Sequence, residues 1–261
     1  MHFSRLLLVI SFSLFSISLT AQQTNNGSAP SVVSKDPQAV AVLNKVLSLA
    51  GGIQAVGAVS DYTATGSVTY HSTQEDVTGT VTLRGYGPSA FRMDSNLPSG
   101  VRTEAVSDSS TIRSETGLSR NYNAPLIPSR ISLPTLPLPI ALTSPGLSLT
   151  YKGLANVDGK PSHDIEIQHN LPTSVKDPDG YYRTFHTVEY FIDASTFQIL
   201  MTKDVVGKGA VRQISYSSYR SINGILVPFS ISEQLDGIQD WQIMIDQISF
   251  NSGLQDSDFQ L

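Results

Sequence analysis

Histidine and serine are the side chains of this sequence best suited to catalysis, yet neither type falls into a known catalytic pattern. No pair of histidines has the helical spacing of a zinc protease. His163 and His169 would lie ~20 Å apart if one strand carried both, which is too far to share a metal ion. The sequence has no G-x-S-x-G nucleophile elbow and no glycine loop for phosphates. The histidines beyond residue 21 are His71, His163, His169 and His186.

Patterns for metal binding are equally weak. The 261 residues include no cysteine, which excludes thiolate ligands and thiol nucleophiles. Asp177, Asp179 and Gly180 resemble the start of a calcium loop, but Pro178 and the lack of a closing glutamate favour a solvated turn. We therefore expect no catalytic residue, no metal and no cofactor, and we keep an enzyme only as a third hypothesis.

The N-terminal residues have the pattern of a cleavable signal peptide. Arg5 is followed by an apolar stretch to Phe15 and by small and apolar residues up to Ala21. The stretch is too short and too rich in serine for a comfortable membrane span, which needs ~20 apolar residues. We expect residues 1–21 to be a signal peptide, and the alternative is that they remain as an N-terminal anchor. Residues 22–35 are expected to be a disordered leader, and residues 36–261 to form one domain. The protein is thus predicted to be periplasmic or secreted, without a stable membrane span after cleavage.

The charge balance excludes some partners. Cleavage would remove Arg5 from the 17 basic residues, leaving 16 against 22 acidic residues. A nucleic-acid-binding protein needs a basic face to neutralise phosphates, and docking on anionic lipid also needs basic residues. We therefore expect neither kind of partner.

One helix is strongly predicted near the start of the expected domain. Asp36 and Pro37 form an N-cap followed by a favourable first helical residue. Gly51-Gly52 is typical of a helix end, since glycine adopts positive φ without strain. Apolar residues recur at helical spacing at Val40, Leu43, Val46 and Leu47. A short second helical piece is predicted from Ile53 to about Val59.

Beyond Asp61 the apolar period changes from 3.6 to 2, which indicates strands with one covered face. We count ten or eleven strands, most of them joined by short turns, and we expect neighbours in sequence to pair antiparallel. Asn223-Gly224 is the strongest hairpin signal. The step of three from Ile245 to Ile248 breaks the alternation and predicts a bulge near Asp246 and Gln247.

Residues 124–146 form a proline-rich strap that fits neither period. Six prolines exclude a long helix or an inner strand. The aliphatic residues between them should be buried, because burying each contributes about 1.5–3 kcal/mol. The strap is therefore either a loop that closes the core or a movable lid over an apolar cavity. The residues assigned to such a lid are Leu133, Leu136, Leu138 and Ile140.

Several turns and strand ends resemble those of a known family. These are the helix end at Gly51-Gly52, the stretch 151–160, the motif YFIDAST at 190–196 and the motif YRSINGILVPF at 219–229, followed by residues 251–259. Together they resemble the outer-membrane lipoprotein-sorting (LolA-like) half-barrels of bacterial envelopes over about residues 36–261. The resemblance implies a mainly β, α+β fold: an unclosed, curved antiparallel sheet around helices, with an apolar concave side. Members of the family carry acyl chains of lipoproteins or lipids, or bind partner proteins, and no invariant catalytic residue comes with it.

These observations support two main hypotheses. The first is an exported carrier that holds an acyl chain, lipid or lipoprotein in an apolar concavity. The second is an envelope interaction or sensor domain that docks a protein without a lipid. The residues predicted to line the concavity are Val68, Tyr70, Val81, Leu83, Phe91, Met93, Ile165, Ile167, Val188, Tyr190, Ile199, Trp241 and Ile243.

Overall fold

The computed structural model describes residues 34–87, 90–107, 110–115, 118–122, 133–170, 176–177, 179–180, 184, 186–206 and 209–259. All of them belong to one compact unit, Ser31–Leu261. The predicted signal peptide, most of the predicted leader and residues 124–132 of the strap lie outside the described residues.

Three short α-helices and a terminal 3-10 helix accompany fifteen strands in the described part of the chain. The helices are α1 Pro37–Leu49, α2 Ile53–Gly57, α3 Leu138–Thr143 and the 3-10 helix Asp256–Phe259. The first eight strands are β1 Asp61–Tyr70, β2 Val77–Tyr86, β3 Ala90–Leu97, β4 Gly100–Ser107, β5 Ser110–Glu115, β6 Leu118–Tyr122, β7 Leu147–Val157 and β8 Lys160–His169. The others are β9 Thr187–Asp193, β10 Ile199–Val206, β11 Ala210–Ser217, β12 Arg220–Ile222, β13 Ile225–Val227, β14 Ser230–Leu235 and β15 Ile238–Phe250.

Helix α1 begins and ends where the sequence predicts. The Asp36 carboxylate accepts hydrogen bonds from the backbone N–H groups of Gln38 at 2.7 Å and Ala39 at 3.4 Å, which satisfies two of the unpaired donors of the first turn. Gly51 and Gly52 follow the helix with φ of 116° and 93°. Gly51 also packs against the β12–β13 turn so closely that a Cβ would lie 2.4 Å from the carbonyl oxygen of Gly224.

Thirteen of the described strands form one antiparallel sheet in the order β6-β5-β4-β3-β2-β1-β15-β14-β11-β10-β9-β8-β7, and β12 and β13 form a separate hairpin. The order is linear with β6 and β7 at its two edges, so the sheet is open, as the predicted half-barrel requires. The strand total exceeds the ten or eleven counted in the sequence. One reason lies at Pro228, which has no N–H for a sheet ladder. The alternation of the sequence predicts one strand through this residue, whereas the structure has two, β13 and β14.

Two local features of the sheet confirm predictions from the sequence. In the β1–β15 register Thr65 faces Gln247 while Gly66 faces Ile245, which leaves Asp246 as the extra residue of a bulge. The β12–β13 hairpin turns at Asn223 and Gly224 with φ of 51° and 82°, the positive values that a tight two-residue hairpin requires.

The sheet is strongly curved. Strands β4 and β8 are nine positions apart in the strand order, a separation of ~43 Å in a flat sheet at the usual strand spacing. Nevertheless Val106 on β4 and Ile167 on β8 line the same cavity. The concave face therefore wraps around α1, α3 and the β12–β13 hairpin, whose apolar residues join one core cluster with those of the sheet.

The described part of the proline-rich strap lies in this core. Leu133, Pro134 and Thr135 are buried, and α3 follows as a helix of only six residues. Its prolines fall in or just before the first turn, the position at which a missing N–H costs least. The short α3 agrees with the expectation that six prolines exclude a long helix.

Candidate functional site

The described residues enclose a cavity of about 630 Å³ on the concave side of the sheet. One wall comes from β1–β4, the facing wall from β7–β9, and α2 and α3 cover the space between them. A volume of this size suits a small apolar ligand, since such sites span about 300–1,000 Å³. The apolar residues that line it are Ile53, Val56, Val59, Tyr62, Ala90, Phe91, Val106, Leu136, Pro137, Pro139, Ile140, Ala141, Leu147, Ile167, Val188 and Tyr190.

Four of the thirteen residues predicted to line the concavity contact this cavity. They are Phe91, Ile167, Val188 and Tyr190. The other nine belong to the packed core around it or pack against that core: Val68, Tyr70, Val81, Leu83, Met93, Ile165, Ile199, Trp241 and Ile243. That any of them contacts a ligand stays a prediction.

The four lid residues divide in the same way. Leu136 and Ile140 line the cavity, whereas Leu133 and Leu138 are fully buried in the core. The strap thus supplies one wall of the cavity and at the same time anchors that wall in the core.

Helix α2 is the largest contribution to the cavity that sequence reasoning missed. Ile53, Gln54, Val56 and Gly57 all line it. The sequence predicts a helical piece here but gives it no role, because five residues show no periodic face. Helix α2 covers the cavity because it packs against α3 in the folded protein, where a Cβ added to Gly57 would lie 3.8 Å from the Cβ of Pro139.

Tyr62 fixes the strap against the sheet. Its side chain hydrogen-bonds to the backbone of Leu133, and burial raises the pKa of the phenol well above its usual value. The ring lies over Gly85, where a Cβ would come within 2.1 Å of it. Glycine at this position of β2 therefore makes room for the aromatic ring that forms part of the cavity wall.

Asp61 is a charged residue that lines the cavity, and its carboxylate has a structural role. Its carboxylate accepts hydrogen bonds from the backbone N–H groups of Ser252 at 2.6 Å and Gly253 at 3.1 Å. It therefore anchors the segment after β15, and both of its oxygens already accept hydrogen bonds from that turn.

His169 is the titratable imidazole of the cavity wall. Burial lowers its pKa, and the neighbouring His186, whose ring centroid is 6.5 Å away, lowers it further. Burial also lowers the pKa of His186. Both rings are therefore neutral at neutral pH, which keeps this wall uncharged.

Residues just before α1 hold α3 in place. The backbone N–H of Leu149 on the edge strand β7 donates to the Ser34 carbonyl oxygen at 2.9 Å, and the backbone N–H of Asp36 donates to the Leu149 carbonyl oxygen at 3.0 Å. The Lys35 ammonium donates to the carbonyl oxygen of Ala141 in α3, and burial lowers its pKa. The helix that covers the cavity is thus tied to the sheet edge by a short segment of the N-terminal chain.

A buried ion-pair cluster adjoins the cavity. Arg212 donates to both oxygens of Asp204 at 2.9 and 2.7 Å, and a carboxylate oxygen of Glu233 lies 3.9 Å from its guanidinium. Trp241 donates to Glu233 at 3.2 Å. In the β9–β10 register Asp204 faces the cavity-lining Val188.

The charges of the cluster compensate one another. Burial alone would lower the pKa of Arg212, but the Asp204 and Glu233 carboxylates outweigh it and the pKa rises, with a further contribution from Glu104 on the other arm. The buried guanidinium therefore stays charged beside its two carboxylates.

The described residues contain neither a metal-binding cluster nor a membrane-spanning helix. No three acidic or histidine side chains in them come together as a metal site would require. No helix in the same ranges is both long and apolar enough to cross a bilayer.

Sequence comparison and structural comparison give different results. No family model and no curated protein matches the sequence. An outer-membrane lipoprotein-sorting protein domain from Vibrio parahaemolyticus covers 85% of this chain and 96% of its own, with TM-score 0.52 and 11% identity. A LolA-superfamily protein from Nitrosomonas europaea covers 83% and 96%, with TM-score 0.52 and 12% identity. A DUF1329-family protein from Desulfovibrio piger covers 84% and 97%, with TM-score 0.50 and 13% identity.

Proposed function

We propose that this protein, which has the LolA-like half-barrel fold, is an exported binding or carrier protein for an acyl chain or a similar apolar ligand. The observation that carries the proposal is the apolar cavity of about 630 Å³ between α2, α3 and the two arms of the sheet. A sheet that curves this far could bury its whole concave face, yet here it leaves a volume of ligand size.

The chemistry of the wall selects the ligand class. Its surface is mostly aliphatic and aromatic, the Asp61 carboxylate is held by the turn after β15, and His169 is kept neutral. Such a wall favours hydrocarbon, because each methylene removed from water contributes about 0.8 kcal/mol. Ten methylenes give about 8 kcal/mol before the cost of association, which fits the reversible binding that a carrier needs.

The structural relatives and the N-terminal sequence support the same assignment. The Vibrio parahaemolyticus domain is described as a lipoprotein-sorting protein, which makes a lipid-linked cargo reasonable for a cavity in the same fold. Export is inferred from the signal-like pattern of residues 1–21. The proposed site comprises the cavity wall named above, with Leu136 and Ile140 as its lid residues.

A cavity-filling pair of variants tests the proposal. Ala90 is half-buried and lines the cavity, whereas Ala155 is half-buried on β7 and does not. Delipidated protein should bind a fluorescent fatty acid at micromolar concentration. We expect Ala90→Trp to weaken this binding at least tenfold and Ala155→Trp to leave it unchanged, with both variants unfolding cooperatively.

Two results would count against this function. One is a folded wild-type protein that takes up no probe and carries no lipid in native mass spectrometry, which would favour the interaction-domain alternative. The other is an equal effect of both tryptophan substitutions, which would place the probe outside this cavity.

A further inference from the structure

The mouth of the cavity is framed by exposed aliphatic side chains on α2 and α3. Ile53 and Ile140 line the cavity and are nevertheless 38% and 41% exposed. Leu49, the last residue of α1 and four positions before Ile53, is 48% exposed. We refer to Leu49, Ile53 and Ile140 as the apolar rim. Ile53 and Ile140 therefore face both the cavity and the solvent, whereas Leu49 is exposed without lining the cavity.

The segments that carry the rim contain no formal charge. Residues 46–60 and 133–151 include no Asp, Glu, Lys or Arg. Charged residues make up 15% of the chain, so about five would be expected in these 34 positions at the average frequency. The Lys35 ammonium reaches α3, but it donates to the Ala141 carbonyl. The two segments that carry the rim are thus uncharged and partly aliphatic, while the Asp61 carboxylate, which also lines the cavity, is held by the turn after β15.

We propose that the apolar rim docks on the surface of an uncharged, zwitterionic lipid bilayer while the acyl ligand enters or leaves the cavity. This inference rests on the proposed carrier function. Its physical basis is continuity: Ile53 and Ile140 belong to the cavity wall and to the outer surface. A chain passing between them moves from one apolar environment to another without exposing its methylenes to water.

The composition of the rim favours a bilayer over a protein partner. Protein interfaces are enriched in Trp, Tyr and Arg at their centres and carry a polar border with about ten hydrogen bonds. Residues 46–60 contain none of these three residue types, and residues 133–151 contain only Tyr151, at the end of the segment. The absence of Lys and Arg also means that attraction to anionic lipid is not the driving force. The expected association is weak and brief, which suits a carrier that must leave the membrane.

Transfer kinetics from vesicles test the proposal. Phosphatidylcholine vesicles loaded with a fluorescent fatty acid serve as donor, and the wild-type transfer rate should rise with vesicle concentration, as a collisional mechanism requires. We expect Ile53→Asp and Ile140→Asp to slow transfer at least tenfold. Because both residues line the cavity, each transfer rate is compared with that variant's own binding of probe added from solution. Leu49→Asp, which changes the rim without changing the cavity wall, should slow it as well.

The chain offers matched controls. Leu154 and Ile238 are more exposed than any rim residue, at 67% and 74%, and neither lines the cavity. Leu154→Asp and Ile238→Asp should transfer at the wild-type rate. Binding of the same probe added from solution, with the melting temperature, shows whether each variant remains folded and competent.

The outcomes separate the docking proposal from the carrier proposal. Rim variants that transfer at the wild-type rate, controls that are slowed equally, or a rate independent of vesicle concentration would overturn docking and leave solution binding intact. A folded rim variant that transfers normally but loses a protein partner would assign the rim to that protein. A wild-type protein that binds no probe from solution would refute the carrier function itself.

Discussion

Removal of the Arg212 guanidinium is expected to be among the most damaging single changes in the described part of the chain. Its side chain is 7% exposed, and that of Asp204 is 3% exposed. Two hydrogen bonds join them, and Glu233 lies close to the same guanidinium. Arg212→Met keeps most of the apolar stem but leaves both carboxylates without their shared cation.

The magnitude follows from burial. Breaking a buried ion pair by removing one partner costs about 3–5 kcal/mol, because the remaining charge stays desolvated. Arg212→Lys keeps the charge but not the paired geometry, and losing one hydrogen bond to a charged group costs about 1.5–3 kcal/mol. Against a total stability of about 5–15 kcal/mol, the methionine variant should be severely weakened.

Urea unfolding at neutral pH measures these differences through the transition midpoint, provided that the m-value stays constant. The double variant Asp204→Leu/Arg212→Met removes both charges of the closest pair. It should therefore be more stable than Arg212→Met alone, with a coupling of at least about 2 kcal/mol, since residues in contact are not additive.

A cost of less than about 1 kcal/mol for Arg212→Met, a value typical of exposed pairs, would contradict a buried ion pair. A double variant that loses the sum of the two single costs would also contradict it, because the charges would then act independently.

Two further predictions concern turns of the scaffold. The Asp193 carboxylate accepts hydrogen bonds from the two residues that follow Ala194, and these lower its pKa to about 2. Because the pKa of Asp193 is lower in the folded than in the unfolded protein, its contribution to stability is present above about pH 4 and is lost as pH falls toward 2. The free energy of unfolding of Asp193→Asn should therefore fall less steeply with decreasing pH in this window than that of the wild-type protein. An unchanged slope would contradict this role of the carboxylate. Gly51→Ala should lower the free energy of unfolding in urea by at least about 1 kcal/mol more than Gly52→Ala does. Both glycines have positive φ, but only a Cβ at residue 51 would meet the Gly224 carbonyl. Equal losses would show that the β12–β13 turn moves aside freely.

Local signals in the sequence predict much of this fold. Asp36 and the glycine pair after Ala50 set the ends of α1, Asn223-Gly224 sets the small hairpin, and the break in alternation before Ile248 sets the bulge. Each depends on a few adjacent residues and on backbone preferences that hold in any protein. The resemblance of the turn motifs to LolA-like half-barrels is confirmed at the level of the fold.

The cavity could not be located in the same way. Val68 and Phe91 both alternate inward from their strands, but Val68 is packed in the core while Phe91 borders the cavity. Whether an inward residue is packed or borders the cavity depends on how strongly the sheet curves to bring β4 near β8. That curvature is set by contacts between residues far apart in sequence. The alternation of buried and exposed residues also fails on β9. Phe191 is buried although it lies on the outer face of the sheet, and the Lys203 ammonium lies 5.5 Å from the centre of the Phe191 ring.

A photoreactive fatty acid gives the most direct test of the central claim. After binding and irradiation, peptide mass spectrometry should place the adducts on α2, α3 and the start of β9, the elements that enclose the cavity. Excess unlabelled fatty acid should abolish them. Adducts confined to the outer face of the sheet, or absent from folded protein at micromolar probe, would contradict the account of an acyl chain held in the concavity.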